Sequence, residues 1–202
     1  MGLIKRIEQF STGSVVVCGI LLVGMSLFIA LEVILRKFFS ISTKGADELS
    51  AYTFAVICAW SLSYTLIKKG HIRIDFLYAK LPQLLQRISD IMAYLALATF
   101  VSPMTYYAFI TLKTSVTRLS RANTPLQTPM WIPQSLWFAG LFFFFIVVLV
   151  YLGVILKMAW DRRFNAMAAF AGCPLLDEEI KEESGIDINT PPNALDPRES
   201  EK

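Results

Sequence analysis

Hydrophobic positions along the chain fall into four long runs that short charged segments separate. Residues 9–31, 49–67, 91–112 and 130–156 contain no Asp, Glu, Lys or Arg. Each run is long enough for a helix to cross roughly 30 Å of hydrocarbon, which takes about 20 residues. Helices are expected because an open sheet edge would leave backbone groups unpaired in lipid. The pattern predicts an all-α integral membrane protein with spans at about residues 13–36, 47–68, 87–113 and 131–157.

The N-terminal segment before the first span has an amphipathic pattern. Its apolar residues share one helical face: Leu3, Ile4, Ile7 and Phe10. We predict an interfacial helix over residues 3–12 that lies flat on the membrane and turns inward at Gly13. The apolar run that follows is about twice as long as that of a secretory signal, so we expect it to remain as a membrane span.

A second interfacial segment is predicted between spans two and three, where residues 68–82 read KKGHIRIDFLYAKLP. Its mixture of cations and apolar groups is typical of a short amphipathic segment that lies in the interface, with His71, Arg73, Asp75 and Phe76 as its characteristic residues. His71 is the only histidine. No third or fourth ligand is spaced nearby, so a structural role for His71 and Asp75 is favoured over a metal site.

Composition supports the membrane assignment and separates a tail. The chain is 55% hydrophobic and 17% charged, whereas soluble domains contain about 25% charged residues. Residues 1–173 carry 16 basic and 7 acidic residues, and residues 174–202 carry 3 basic and 9 acidic residues. We therefore predict a membrane domain over residues 1–165 and an acidic, largely disordered cytoplasmic tail over residues 166–202. Membrane lipids account for the basic surface, without nucleic acid as a partner.

The distribution of Lys and Arg predicts the orientation. With both termini on one side, that side carries ten basic residues near the spans and the opposite side carries six. The positive-inside rule then places both termini in the cytoplasm.

Charged residues at the outer ends of the first two spans form a candidate site. Glu32 and Arg36 stand at the i, i+4 spacing of a helical ion pair, and Asp47 and Glu48 open the second span at the same level. We predict an outer polar cluster of these four residues. Glu32 has two interpretations, a structural partner of Arg36 or a proton-coupling carboxylate, and its end position favours the first.

Two further features concern partners. Ala51, Ala55, Ala59 and Ser63 recur every four residues, a small-residue ridge that lets another helix approach closely, either within the chain or in a partner. The stretch 113–123 has no helix breaker before Asn123. We predict that it continues span three as a helix and presents Arg118 and Arg121 on the outer side as a candidate contact for another protein; ordinary loop charges are the alternative.

Catalytic and redox chemistry has no support in the sequence. The chain shows none of the zinc-protease, nucleophile-elbow or acidic-ligand patterns, which indicates that it is not an enzyme. Of its three cysteines, Cys18 and Cys58 fall within predicted spans, where a thiol behaves as a small apolar group.

Several stretches in fixed order resemble one family. They are EVILRKFF with Glu32 and Arg36, the ELS that opens span two, GHIRID at residues 70–75 and PMWIP at residues 129–133. Over about residues 10–160 the chain resembles the small permease subunit of tripartite ATP-independent periplasmic (TRAP) transporters, the DctQ family. It departs from the family pattern in its acidic tail and at Ser135 and Trp137, where a Pro-x-Gly is common.

The resemblance implies a function in organic acid uptake across the bacterial inner membrane. The partners it implies are a large multi-spanning permease subunit, which carries the sodium-coupled substrate path, and a periplasmic substrate-binding protein. This chain would act as scaffold and docking subunit and bind no cofactor, with sodium as the coupling ion in the permease.

Two other classes of membrane protein have four spans. A haem-bearing anchor of a respiratory complex would need a second histidine from a partner. A small proton-coupled exporter would share a first-span acid, but it places that acid near the middle of the bilayer.

Overall fold

The computed structural model describes residues 2–40, 44–69, 82–162 and 170. Within these ranges there are four helices: α1 over Gly2–Phe39, α2 over Ala46–Ile67, α3 over Gln83–Thr117 and α4 over Trp131–Trp160. All four are long and apolar enough to cross a membrane, so the prediction of an all-α, four-span membrane protein is confirmed.

Two predicted features lie outside the described residues. One is the interfacial segment with His71, Arg73, Asp75 and Phe76. The other is the acidic tail, apart from residue 170. Both stay predictions.

The chain divides into two compact units. The first comprises Met1–Ile72 and Ile91–Leu156, and the second comprises Arg73–Asp90 and Lys157–Lys202. The first unit contains α1, α2 and most of α3 and α4, together with the buried hydrophobic residues. In the second unit α4 ends where the Arg162 amide donates to the Ala159 carbonyl oxygen at 3.2 Å.

Helix α1 differs from the expected two-part N-terminus. It is one helix of 38 residues, about 57 Å long at 1.5 Å per residue, and it continues through Gly13 without turning. A glycine keeps its amide donor, so it lowers helix stability by only about 1 kcal/mol relative to alanine and does not have to end the helix.

A seven-residue repeat directs α1 towards α2. Ser11, Cys18 and Glu32 are buried and Met25 is half-buried. This period keeps one face of a helix against its neighbour over a long distance, and α1 packs on α2. At one end of the pair Lys68 Nζ lies 3.4 Å from Glu8 Oε1, so the two helices run antiparallel.

Helices α2 and α4 approach each other closely at Gly140. A Cβ added there would lie 2.8 Å from Trp60 Cδ1 and 3.0 Å from Ala59 Cβ. Ala59, Ala108 and Leu141 form a buried cluster at this level. The Trp60 ring has little freedom to move, because its indole N–H donates to the Leu136 carbonyl oxygen at 3.1 Å. Small residues therefore set the spacing of these two helices.

Helix α3 ends earlier than the predicted continuation to Asn123. The helix stops at Thr117, and Leu119 takes a left-handed conformation with φ of 48°. The Ser120 amide donates to the Ser115 carbonyl oxygen at 3.1 Å, and the Leu119 amide donates to the Val116 carbonyl oxygen at 3.4 Å. These two bonds form a Schellman cap, which satisfies the last carbonyls of the helix without a glycine.

Candidate functional site

Residues 120–130 form a short polar loop between α3 and α4, beside the start of α2. We call this segment the outer loop. The amide of Met130 donates to the Ser120 carbonyl oxygen and that of Ala122 to Thr128, both at 3.0 Å. At the tip the Gln127 amide donates to the Thr124 carbonyl oxygen at 3.0 Å, which closes a turn with Pro125 at its second position, where proline is favoured. These backbone bonds give the loop a defined shape.

The carboxylate of Glu48 ties this loop to the start of α2. The Tyr52 hydroxyl donates to Glu48 Oε1 at 2.8 Å, and the Thr124 hydroxyl donates to Glu48 Oε2. The Tyr52 hydroxyl also lies 3.4 Å from the sulfur of Met130. Both carboxylate oxygens thus accept hydrogen bonds, one from within α2 and one from the loop, a strong arrangement for a charged acceptor. We call Glu48, Tyr52, Thr124 and Met130 the outer latch.

An apolar contact supports the outer latch. Gly45 precedes α2 and is buried, and a Cβ placed on it would lie 2.8 Å from Cδ1 of Leu126 at the loop tip. The loop therefore covers the N-terminus of α2 through the hydroxyl of Thr124 and the side chain of Leu126.

The predicted outer polar cluster is only partly represented in the latch. Glu48 belongs to it, whereas Asp47 and Arg36 are exposed. Glu32 is buried on α1, with 6% of its surface exposed. The contribution of these residues as one cluster stays a prediction. Tyr52 and Thr124 were not identified from the sequence; the i, i+4 spacing of Glu48 and Tyr52 was the one available signal.

The other predicted residues occupy different environments. Arg118 and Arg121 are exposed, the first beside the cap of α3 and the second in the loop, where it pairs with Pro129 in an isolated antiparallel bridge. Along the small-residue ridge Ala51 is exposed, whereas Ala59 and Ser63 are buried inside the chain. The lower half of the ridge is therefore used for packing within the chain.

We expect Thr124→Val to loosen the outer loop. Valine keeps the shape of threonine but cannot donate to Glu48, so the amides of Ala122 and Gln127 should exchange hydrogen about tenfold faster. Hydrogen exchange read by mass spectrometry checks this. Thr117→Val is the matched control, because that hydroxyl bonds to Lys113 within α3. Equal exchange in the two variants would show that the latch does not hold the loop.

The face of α1 opposite its seven-residue repeat of buried residues carries a row of exposed apolar side chains. Their spacing of three and four residues continues along the helix. We call this row the outer stripe, and it comprises Val16, Ile20, Val23, Leu27, Leu31, Ile34 and Phe38. Such a row presents a continuous apolar ridge to lipid or to another helix.

Within the described ranges no group of three His, Cys, Asp or Glu residues could hold a metal ion. Four spanning helices, a latched polar loop and a long exposed apolar ridge define a helical membrane protein.

The family model described as tripartite ATP-independent periplasmic transporters, DctQ component, matches residues 25–171. The chain belongs to this family and is the small subunit of a tripartite transporter. The resemblance identified from the sequence is thereby confirmed, as is the prediction that the chain is not an enzyme, because the family is a transporter component. Comparison with curated proteins and with solved structures gave no match.

Proposed function

We propose that the chain is the small membrane subunit of a sodium-coupled transporter for organic acid uptake, and that it acts as a scaffold for the large permease subunit. Membership of the DctQ family supports its place in a tripartite transporter. In this proposal sodium couples transport in the large subunit, a periplasmic protein captures the solute, and the present chain binds no cofactor.

The observation that carries the scaffold role is the outer stripe of α1. In the most apolar 18-residue stretch of α1, 6% of the residues are buried within the chain, against 39% in α4. Packing of closely fitted side chains drives association of helices in membranes, where lipid is as apolar as leucine. A long apolar ridge with helical spacing supports contact with a helix of the large subunit.

Docking of the periplasmic binding protein is the second proposed role, and it belongs to the outer loop. Arg118 and Arg121 are exposed, and the outer latch holds the loop that follows Arg118. Exposed charges at a contact surface mainly steer encounter and set its salt dependence.

The proposed orientation places both termini in the cytoplasm and the outer loop in the periplasm of a bacterial inner membrane. An Arg121→Cys variant should then react with a membrane-impermeant maleimide added to intact spheroplasts. Reaction from the cytoplasmic side alone would reverse the topology.

Reconstitution tests the proposed function. Proteoliposomes with the large subunit and this chain, supplied with binding protein and an inward sodium gradient, should accumulate an organic acid, and omission of this chain should abolish uptake. Full uptake without the chain, or uptake by the chain alone, contradicts the scaffold role.

In the same assay Arg118→Ala combined with Arg121→Ala should raise the binding-protein concentration needed for half-maximal uptake by roughly fivefold.

A further inference from the structure

A groove lies along the junction of α1 and α2, beside the N-terminal half of α1. Its volume is about 530 Å³, and it runs from Gln9 to Leu21 on α1, with Val56 and Trp60 of α2 on the other side. Twelve residues of helix extend about 18 Å, and half of the hydrocarbon core of a bilayer is about 15 Å thick. The groove therefore has the length of one membrane leaflet.

Two hydrogen-bond donors in the walls of the groove, on Ser14 and Trp60, already have partners within the chain. The Ser14 hydroxyl donates to the Phe10 carbonyl oxygen at 2.8 Å, and the Trp60 indole N–H donates to Leu136. The rings of Phe10, Trp60 and Phe143 contact one another, with centroids 5.0 to 6.1 Å apart. An apolar occupant fits such walls, since a polar one would lose its hydrogen bonds to water.

The width of the groove favours an acyl chain over a helix. Measured up to the surfaces of its atoms, the groove holds about 910 Å³, which over its length of about 18 Å gives a channel about 8 Å across, whereas a helix with its side chains is about 10–12 Å across. A hydrocarbon chain can enter such a channel, and a helix can only rest on its rim.

Cationic residues lie close in sequence to the end of the groove that Gln9 and Phe10 line. Arg6 is exposed and stands one helical turn before Phe10, and Lys5 and Lys68 are exposed at the same end. Glu8 pairs with Lys68, so the charged residues named here, Lys5, Arg6, Glu8 and Lys68, have a net positive charge. Gln9 adds an amide at the mouth. Basic groups at this level attract anionic lipid headgroups.

We propose that this groove is a binding site for an anionic phospholipid, with one acyl chain between α1 and α2 and the phosphate at Arg6. The site goes beyond the transporter function and does not depend on it. The occupant comes from the leaflet that the N-terminus of α1 meets.

Filling the groove tests the acyl-chain part. Gly13 lines the groove and has no atom within 4 Å of an added Cβ, so the side chain in Gly13→Leu can start into the groove and occupy part of it. Gly24→Leu is the matched control, because Gly24 is equally open on the same helix but does not line the groove. In native mass spectrometry of the full-length chain titrated with phosphatidylglycerol, Gly13→Leu should lower the retained lipid about tenfold, and Gly24→Leu should leave it unchanged. Equal retention by the two variants would overturn the proposal.

A second variant tests the headgroup part. Wild-type protein should retain phosphatidylglycerol in preference to phosphatidylcholine with the same acyl chains, and Arg6→Gln should reduce that preference about fivefold, the effect of one cation near the surface. If Arg6→Gln leaves the preference for phosphatidylglycerol unchanged, Arg6 does not bind the phosphate and the proposed headgroup site is wrong.

A photo-crosslinker distinguishes lipid from a protein occupant. With benzoylphenylalanine in place of Val17 in the assembled transporter, irradiation should give an adduct with the mass of a phospholipid. A crosslink to the large subunit in place of the lipid adduct would assign the groove to a helix of that subunit and overturn the lipid site.

Discussion

Gly140→Leu should be the most damaging single substitution in the described helices. Even the first carbon of the new side chain would lie 2.8 Å from Trp60 Cδ1 and 3.0 Å from Ala59 Cβ, and Trp60 is held by its hydrogen bond to Leu136 and by the ring of Phe143. Overpacking of a tight core typically lowers the free energy of unfolding by about 1–3 kcal/mol. For a chain of this size that corresponds to a Tm about 2–12 °C lower, which tryptophan fluorescence in mild detergent can follow.

Gly153→Leu provides the control on the same helix. No atom lies within 4 Å of a Cβ added at Gly153, and leucine favours a helix more than glycine does. Its Tm should equal or slightly exceed that of the wild type. If the two variants melt at the same temperature, the close approach of α2 and α4 does not limit stability.

Bulky residues on the outer stripe should separate this chain from the large subunit. We expect Ile20→Trp combined with Leu27→Trp to reduce copurification of the large subunit at least about tenfold, because overpacking at two positions of a fitted interface costs about 1–3 kcal/mol each. Tryptophan remains apolar, so the same face would tolerate it against lipid. Quantitative mass spectrometry of the purified complex measures the ratio of the two subunits.

Phe54→Trp combined with Phe100→Trp is the control for this experiment. Both phenylalanines are exposed, on α2 and α3, and lie outside the outer stripe. The control should keep the wild-type subunit ratio. Loss of the large subunit from the control variant alone would show that the interface lies on α2 or α3 and not on the outer stripe of α1.

Hydropathy predicted the interiors of the helices well and their ends less well. The second span was expected at residues 47–68 and α2 covers Ala46–Ile67, whereas the third was expected at 87–113 and α3 covers Gln83–Thr117. Charged residues mark where lipid ends, but a helix continues until its last carbonyls find other donors. The left-handed Leu119 that ends α3 has no signal in the sequence, because glycine is the usual residue there.

In the candidate site, too, the sequence predicts features within one helix but not contacts between residues far apart in the chain. The ridge with Ala59 is visible from its four-residue spacing, but its neighbour Gly140 lies on another helix and cannot be paired with it by pattern. Likewise Glu48 is visible as an acid at a helix start, whereas Thr124, its partner 76 positions later, depends on how the loop returns to α2. Periodicity identifies faces, and tertiary packing decides which faces meet.

The central claim is that this chain holds a larger membrane partner, and the mass of its native complex tests it most directly. The chain purified from its native membrane in mild detergent should appear in native mass spectrometry bound to one large multi-spanning subunit. A spectrum that contains only the 22.8 kDa chain, or copies of it alone, under conditions in which uptake activity survives, would contradict the account.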